Sequence, residues 1–250
     1  MAAVAAAVLL ASCRVDQTVT LKVNPNGSGE VRINVVADAA IVAAEPDLAA
    51  DVRTDDLARA GWKVDGPEST DDGGLQIALT RPFATPTEAT AVLAQVNGEN
   101  GPLQGLALAR AGKDTNSVWT LTGTLRVAGG LDAFIDAGGR ELLGGAPFAG
   151  EVSDAGLDLG EAIGIEFIAD IPGKVDSTSG LERDGTIVWR VPMDGSEIDL
   201  ATSVTNVDVP ATVAGVGRGV LRFLLALWIA ATIALLAAVW VKNRPRTPRI

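Results

Sequence analysis

Residues 15–37 read VDQTVTLKVNPNGSGEVRINVVA, and this stretch decides the fold. Val15, Gln17, Val19, Leu21 and Val23 fall on one face of an extended chain, with Asp16, Thr18, Thr20 and Lys22 on the other. That period of two marks a strand with one buried face. Asn24-Pro25-Asn26-Gly27-Ser28-Gly29 supplies turn chemistry, and Val31, Ile33 and Val35 resume the alternation. Two alternating runs around such a turn predict a β-hairpin.

The same pattern recurs downstream. Pro46 opens a helical stretch with Leu48, Val52 and Leu57 as apolar anchors, closed by Gly61. Trp62 to Val64 with its continuation and Leu75 to Leu79 predict a second strand pair around Asp71-Asp72-Gly73-Gly74. Thr85-Pro86-Thr87-Glu88 is a capping box with proline at the first helical position, so a helix runs to about Val96. Leu103 to Ala109 and Val118 to Val127 form a third hairpin, Leu131 to Leu143 a short helix, and residues 145–164 a Gly- and acid-rich loop. Strands resume at Ile165 to Ile171, Gly185 to Val191 and Glu197 to Val204. The expected fold class is α+β: an antiparallel β-sheet of hairpins with a few packed helices, plus one C-terminal transmembrane helix.

That last helix is read from the far end of the chain. Phe223 to Val241 is FLLALWIAATIALLAAVWV, nineteen residues without a charge. As a helix it spans about 28 Å, close to the hydrocarbon thickness of a bilayer. Trp240 suits an interfacial belt, and Lys242, Arg244, Arg246 and Arg249 place the tail in the cytoplasm. At the other end MAAVAAAVLLAS precedes the chain's one cysteine, Cys13. This apolar run is too short to span and resembles the h-region of a signal peptide, although no Lys or Arg precedes it. Leu10-Ala11-Ser12-Cys13 looks like a bacterial lipobox, in which the cysteine thiol accepts diacylglycerol. The predicted organisation is signal peptide 1–12, extracytoplasmic domain 13–204, stalk 205–219, transmembrane helix 220–241 and basic tail 242–250.

Charge follows this division. All 31 acidic residues lie at or before Asp208, so residues 1–217, with fourteen basic residues, carry −17, while the last 33 carry +6. The overall −11 therefore adds two unlike objects. A −17 domain repels phosphate, which argues against nucleic acid as a partner of the main body, and none is expected. A mean hydropathy of +0.28 despite 20% charged residues reflects the two apolar ends together with a domain able to bury a core. There is no His, no Tyr and one Cys, so a disulfide within the chain, His-based metal sites and Ser-His-Asp triads are excluded.

The lipobox, the Asn26-Gly27-Ser28-Gly29 turn, Gly61-Trp62, Ile171-Pro172-Gly173-Lys174-Val175, Asp184-Gly185-Thr186-Ile187-Val188-Trp189 and the final apolar helix occur in that order. Together they resemble the LppM-type membrane lipoproteins of actinobacteria and relatives. The resemblance implies a lipid-modified (palmitate-bearing), membrane-held envelope protein associated with lipid or glycolipid, and no catalysis. It offers no catalytic residues to carry over.

The residues themselves agree with a non-enzymatic reading. Asp51 and Asp55 lie one helical turn apart, but Arg53 and Arg59 nearby make a solvated acidic face the simpler account than a cation site. Without His, a Ser or Thr nucleophile needs a Lys or carboxylate base, and Lys22, Lys63, Lys113 and Lys174 sit in no recognisable motif. No cofactor and no metal are expected. Trp62, Trp119, Phe134, Phe148, Phe167 and Trp189 are candidates either for core packing or for lining an apolar lipid cavity. Two functions stay open at this point: a lipid- or glycolipid-associating envelope protein, and an interaction module docking on a membrane enzyme or transporter.

Overall fold

A computed structural model of the chain describes residues 14–52, 54–97, 101–113, 116–127 and 159–207. The chain divides into one unit of residues 1–206 and a second of residues 207–250; the described residues belong to the first, apart from Val207. Among the described residues no helix is long and apolar enough to cross a membrane. The apolar stretch 223–241, Cys13 and the expected helix 131–143 lie outside them.

The opening hairpin forms as read: β1 (Val15–Val23) pairs antiparallel with β2 (Gly29–Ala37), Val23 opposite Gly29. Gly27 adopts φ +97°, a region that favours glycine, and its N–H donates to the Asn24 carbonyl at 2.9 Å. Helices α1 (Ala39–Ala44), α2 (Leu48–Asp51) and α3 (Asp55–Arg59) then lead to β3 (Lys63–Ser69) and β4 (Leu75–Phe83). The single helix expected between Pro46 and Gly61 is thus two short ones, and α1 precedes them on the apolar AAIVAA run. Asp38 starts α1 by accepting the Ile41 N–H at 3.0 Å.

Helix α4 (Pro86–Asn97) carries the expected capping box. The Thr85 hydroxyl accepts the Glu88 N–H at 3.2 Å, while the Glu88 carboxylate reaches back to the Ala84 N–H at 2.8 Å. β5 (Leu103–Lys113) and β6 (Asn116–Leu125) make the third hairpin. After the short α5 (Leu159–Ala162) come β7 (Ile163–Asp170), β8 (Lys174–Thr178), β9 (Leu181–Arg183), β10 (Thr186–Arg190) and β11 (Ile198–Val207). β11 continues three residues into the segment read as stalk. Strands β8 and β9 were not expected, because both are short and half or fully exposed, with little alternation to read.

The strands form two sheets, one of seven in the order β3-β4-β2-β1-β7-β10-β9 and one of four in the order β5-β6-β11-β8. The fold is mostly β with a few helices, an α+β arrangement, but the single antiparallel sheet of hairpins is corrected on two points. The described strands form two sheets, and at the centre of the larger one β1 pairs parallel with β7, Val15 opposite Ile163 through Lys22 opposite Asp170. Hairpin signals report neighbours in sequence, whereas this pair joins residues almost 150 positions apart.

The inward rows of both sheets share one core. Val19, Leu21, Ile165, Phe167, Ala169 and Trp189 of the larger sheet pack in the same cluster as Leu106, Leu108, Trp119, Leu121, Leu200 and Val204 of the smaller. Ala89, Val92 and Leu93 bring α4 into it. Burial of this many large apolar side chains is the main stabilising term, at roughly 1.5–3 kcal/mol each. Polar groups then fix the alignment of the sheets. The Ser179 hydroxyl accepts both the Trp189 indole N–H and the Ala201 backbone N–H, each at 3.0 Å, joining one sheet to the other.

Candidate functional site

The strand register defines two poles. At one lie the start of β1, the start of β7 and the end of β10; at the other lie the Asn24–Ser28 turn, the end of β7 and the end of β11. Arg110 closes the second pole. Its guanidinium stacks 4.9 Å from the Trp119 ring centroid and donates to the carbonyls of Asn26 and Pro25 at 2.9 and 2.7 Å. That ties the turn of the larger sheet to the smaller one.

At the first pole a cleft of about 670 Å³ opens beside the parallel β1–β7 pair. Five of its lining residues are charged: Arg14, Asp16, Glu166, Arg190 and Asp194. The Arg14 Nε donates to both Asp16 carboxylate oxygens at 3.0 and 2.8 Å, and its Nη1 donates to the Glu161 carbonyl at 3.2 Å. Gly164 makes room for this pair, since a Cβ there would collide with the Asp16 carboxylate and lie 2.6 Å from Arg14 Nη2. One row along, Arg190 Nε donates to Glu166 Oε1 at 2.9 Å. These pairs are exposed enough to contribute little stability; their effect is a lining that is polar and almost charge-balanced.

Arg14 is also fixed through its backbone. Its N–H donates to Asp38 Oδ2 at 2.8 Å, so Asp38 holds the chain entry with one oxygen and caps α1 with the other. Asp38→Ala should therefore cost about 1–2 kcal/mol and speed amide exchange at Arg14 and Ile41 together. Hydrogen exchange checks this, and a change confined to Ile41 would contradict the double role.

The Met193–Ser196 turn forms the cleft rim. Asp194 accepts from the Ser196 hydroxyl at 2.6 Å and the Ser196 N–H at 2.9 Å, which holds its carboxyl below the usual aspartate range. A depressed carboxylate stabilises above its unfolded pKa of about 3.9 and loses that contribution as pH falls through the lower folded value. The Ser196 amide resonance should hold its position from neutrality down to about pH 4 and move only below it. Asp194→Asn should remove the transition.

Of the residues expected to line a lipid cavity, Trp62, Trp119, Phe167 and Trp189 are buried in the shared core, and none lines this cleft. Phe134 and Phe148 lie outside the described residues. The cleft brings together Arg14, Asp16, Glu166 and Arg190, which no sequence motif singled out. The available signal was the polar alternation of β1 and β7, which becomes a site only once the two strands pair.

The chain matches no known protein family and no curated protein. Among solved structures it is similar to the NMR structure of the folded domain of the Mycobacterium tuberculosis LppM protein. The TM-score is 0.44 with 12% sequence identity, covering 80% of this chain and 94% of that one.

Proposed function

We propose that this chain is an envelope lipoprotein held to the cell membrane at both ends, with an extracytoplasmic domain that associates with lipid or glycolipid and carries out no catalysis. The observation that carries the reading is the distribution of sequence around the folded domain. A short apolar run ending in Cys13 precedes it, nineteen uncharged residues and a cationic tail follow it, and every acidic residue lies before them. The two acyl chains of a diacylglyceryl group on Cys13 give stable anchoring, and a spanning helix makes attachment effectively permanent.

The character of the cleft shapes the form of the association. Five charged side chains line the cleft beside Ile163, Ile165, Val191, Pro192 and Met193, and the described aromatic side chains are buried in the core. It therefore favours contact with lipid headgroups over enclosure of an acyl chain. Full-length protein extracted from membranes in mild detergent should retain lipid through purification, read by mass spectrometry of an organic extract. Protein that carries no lipid above a detergent blank, and binds none across a broad panel, would sink this reading.

A second reading, a docking module for a membrane enzyme or transporter, rests on the outer face of the four-stranded sheet. Ala107, Ala109, Ala111, Val118, Thr120 and Thr122 are exposed there on adjacent strands, with no charged side chain among them. A photo-crosslinker at Thr120 in intact membranes separates the two. One discrete protein adduct supports docking, and its absence leaves lipid association.

A further inference from the structure

Resting on the reading that Cys13 is acylated, we propose that the pole bearing Arg14 is the membrane-facing surface of the domain. Its cleft then opens into the layer of lipid headgroups, and the pole bearing the Asn24–Ser28 turn points away from the bilayer.

Two distances carry this. The first is the length of tether at the start of the domain. Cys13 is joined to Arg14 by one peptide, so their Cα atoms lie about 3.8 Å apart, and the Arg14 N–H is held by Asp38. No slack separates an acyl group on Cys13 from the pole of the sandwich.

The second is the separation of the chain exits. β1 and β7 run in parallel away from Arg14 and end level with each other at Lys22 and Asp170. Three residues later Gly173 sits against β11, where an added Cβ would be 2.5 Å from the Thr205 carbonyl, and Lys174 pairs with Thr205. The domain thus receives its chain at one pole and releases it at the other. The nine residues of β1 put about 30 Å between them.

Of the two upright orientations, these lengths allow one, and a domain lying on its side would bring both poles within reach of the bilayer. With the far pole against the bilayer, Cys13 would sit about 30 Å above it, well beyond the reach of lipid chains attached to its own side chain. With the Arg14 pole against the bilayer, the burden passes to residues 208–219. Twelve residues reach about 40 Å when extended, which covers the length of the domain and lets both anchors hold at once.

The chemistry of the near pole suits that place. Most of the domain is acidic, yet here two guanidiniums face three carboxylates, four of the five groups pairing among themselves. Among the described residues Arg190 is bound only through Nε, and its side chain is 82% exposed, which leaves its outer nitrogens positioned to donate to a lipid phosphate. The same cleft facing bulk solvent would have no such partner within reach.

The test places one fluorophore at each pole of the full chain in phosphatidylcholine vesicles doped with a nitroxide-headgroup lipid. Acylation converts the Cys13 thiol to a thioether, leaving introduced cysteines as the labelling sites. Glu161→Cys reports the near pole and Lys174→Cys the far one; both side chains are exposed. The expected result is loss of fluorescence at 161 and none at 174. Equal quenching, or stronger quenching at 174, overturns the orientation while leaving the anchoring intact. Intact-mass measurement on the same samples separates the two failures, because an unmodified Cys13 overturns both the anchoring and the orientation.

Discussion

Phe167→Ala should destabilise the domain by about 3–5 kcal/mol. Phe167 is fully buried at the centre of β7, with Val19 of β1 on one side and Trp189 of β10 on the other in the same inward row. Its ring centroid is 5.9 Å from that of Trp189 at an interplanar angle of 43°, a tilted contact worth about 0.5–1.5 kcal/mol beyond area burial. Truncation loses that contact and opens a cavity where the parallel pair meets the smaller sheet. The walls are strands held by ladders on both sides, so they cannot collapse to fill it. A domain of this size has total stability of roughly 5–15 kcal/mol, and the variant would lose a large part of it. Urea unfolding followed by tryptophan fluorescence measures the change, and a loss below about 1 kcal/mol would place Phe167 outside the stabilising core.

Gly29→Val should cost about 3 kcal/mol for the opposite reason, overfilling. Gly29 pairs with Val23 on one side and Phe83 on the other. A Cβ added there would collide with the Lys22 carbonyl oxygen and with the buried Phe83 ring. The first obstacle is backbone and the second is core, so neither has a cheap escape. Gly185→Ala is the matched control. Gly185 has φ +81° and open space around its missing Cβ, so only the left-handed conformation is penalised, at about 1–2 kcal/mol. If both substitutions cost the same by thermal or urea unfolding, the collision at Gly29 is not what sets its identity.

These two positions mark the boundary of what the sequence makes legible. Phe167 reads as inward-facing from the alternation Ile165, Phe167, Ala169, and Val19 does so likewise from β1. What alternation lacks is a partner: nothing in either run says that they pair with each other, or that they pair in parallel. The hairpins were readable because turn chemistry at Asn24–Gly29 and Asp71–Gly74 is local. Strands β8 and β9 were hidden for the converse reason. They carry few apolar residues and lie half or fully exposed, so a strand there is stabilised by its neighbours and not by its own pattern.

The candidate site was less legible than the fold. Its charged groups come from the residue before β1, from β1, β7 and β10, and from the turn after β10, and each reads alone as an ordinary solvent-facing residue. Only the parallel pairing sets Asp16 beside Gly164 and Thr18 beside Glu166, and only then does Gly164 acquire a purpose as the gap that admits an ion pair. The aromatic residues drew attention because they are few in this chain. The five that are described, Trp62, Phe83, Trp119, Phe167 and Trp189, serve the core, where large apolar surface is most stabilising. A lipid-facing role for the domain therefore rests on polar side chains at one pole and on what is attached next to them.

Intact-mass spectrometry of the full chain, purified from a bacterial membrane that processes lipoproteins, tests that attachment most directly. The expected product is a mature chain beginning at Cys13, heavier than its peptide mass by a diacylglyceryl group and retained in the membrane fraction after an alkaline wash. A chain that still begins at Met1 with an unmodified Cys13, or one released by the wash, would contradict it.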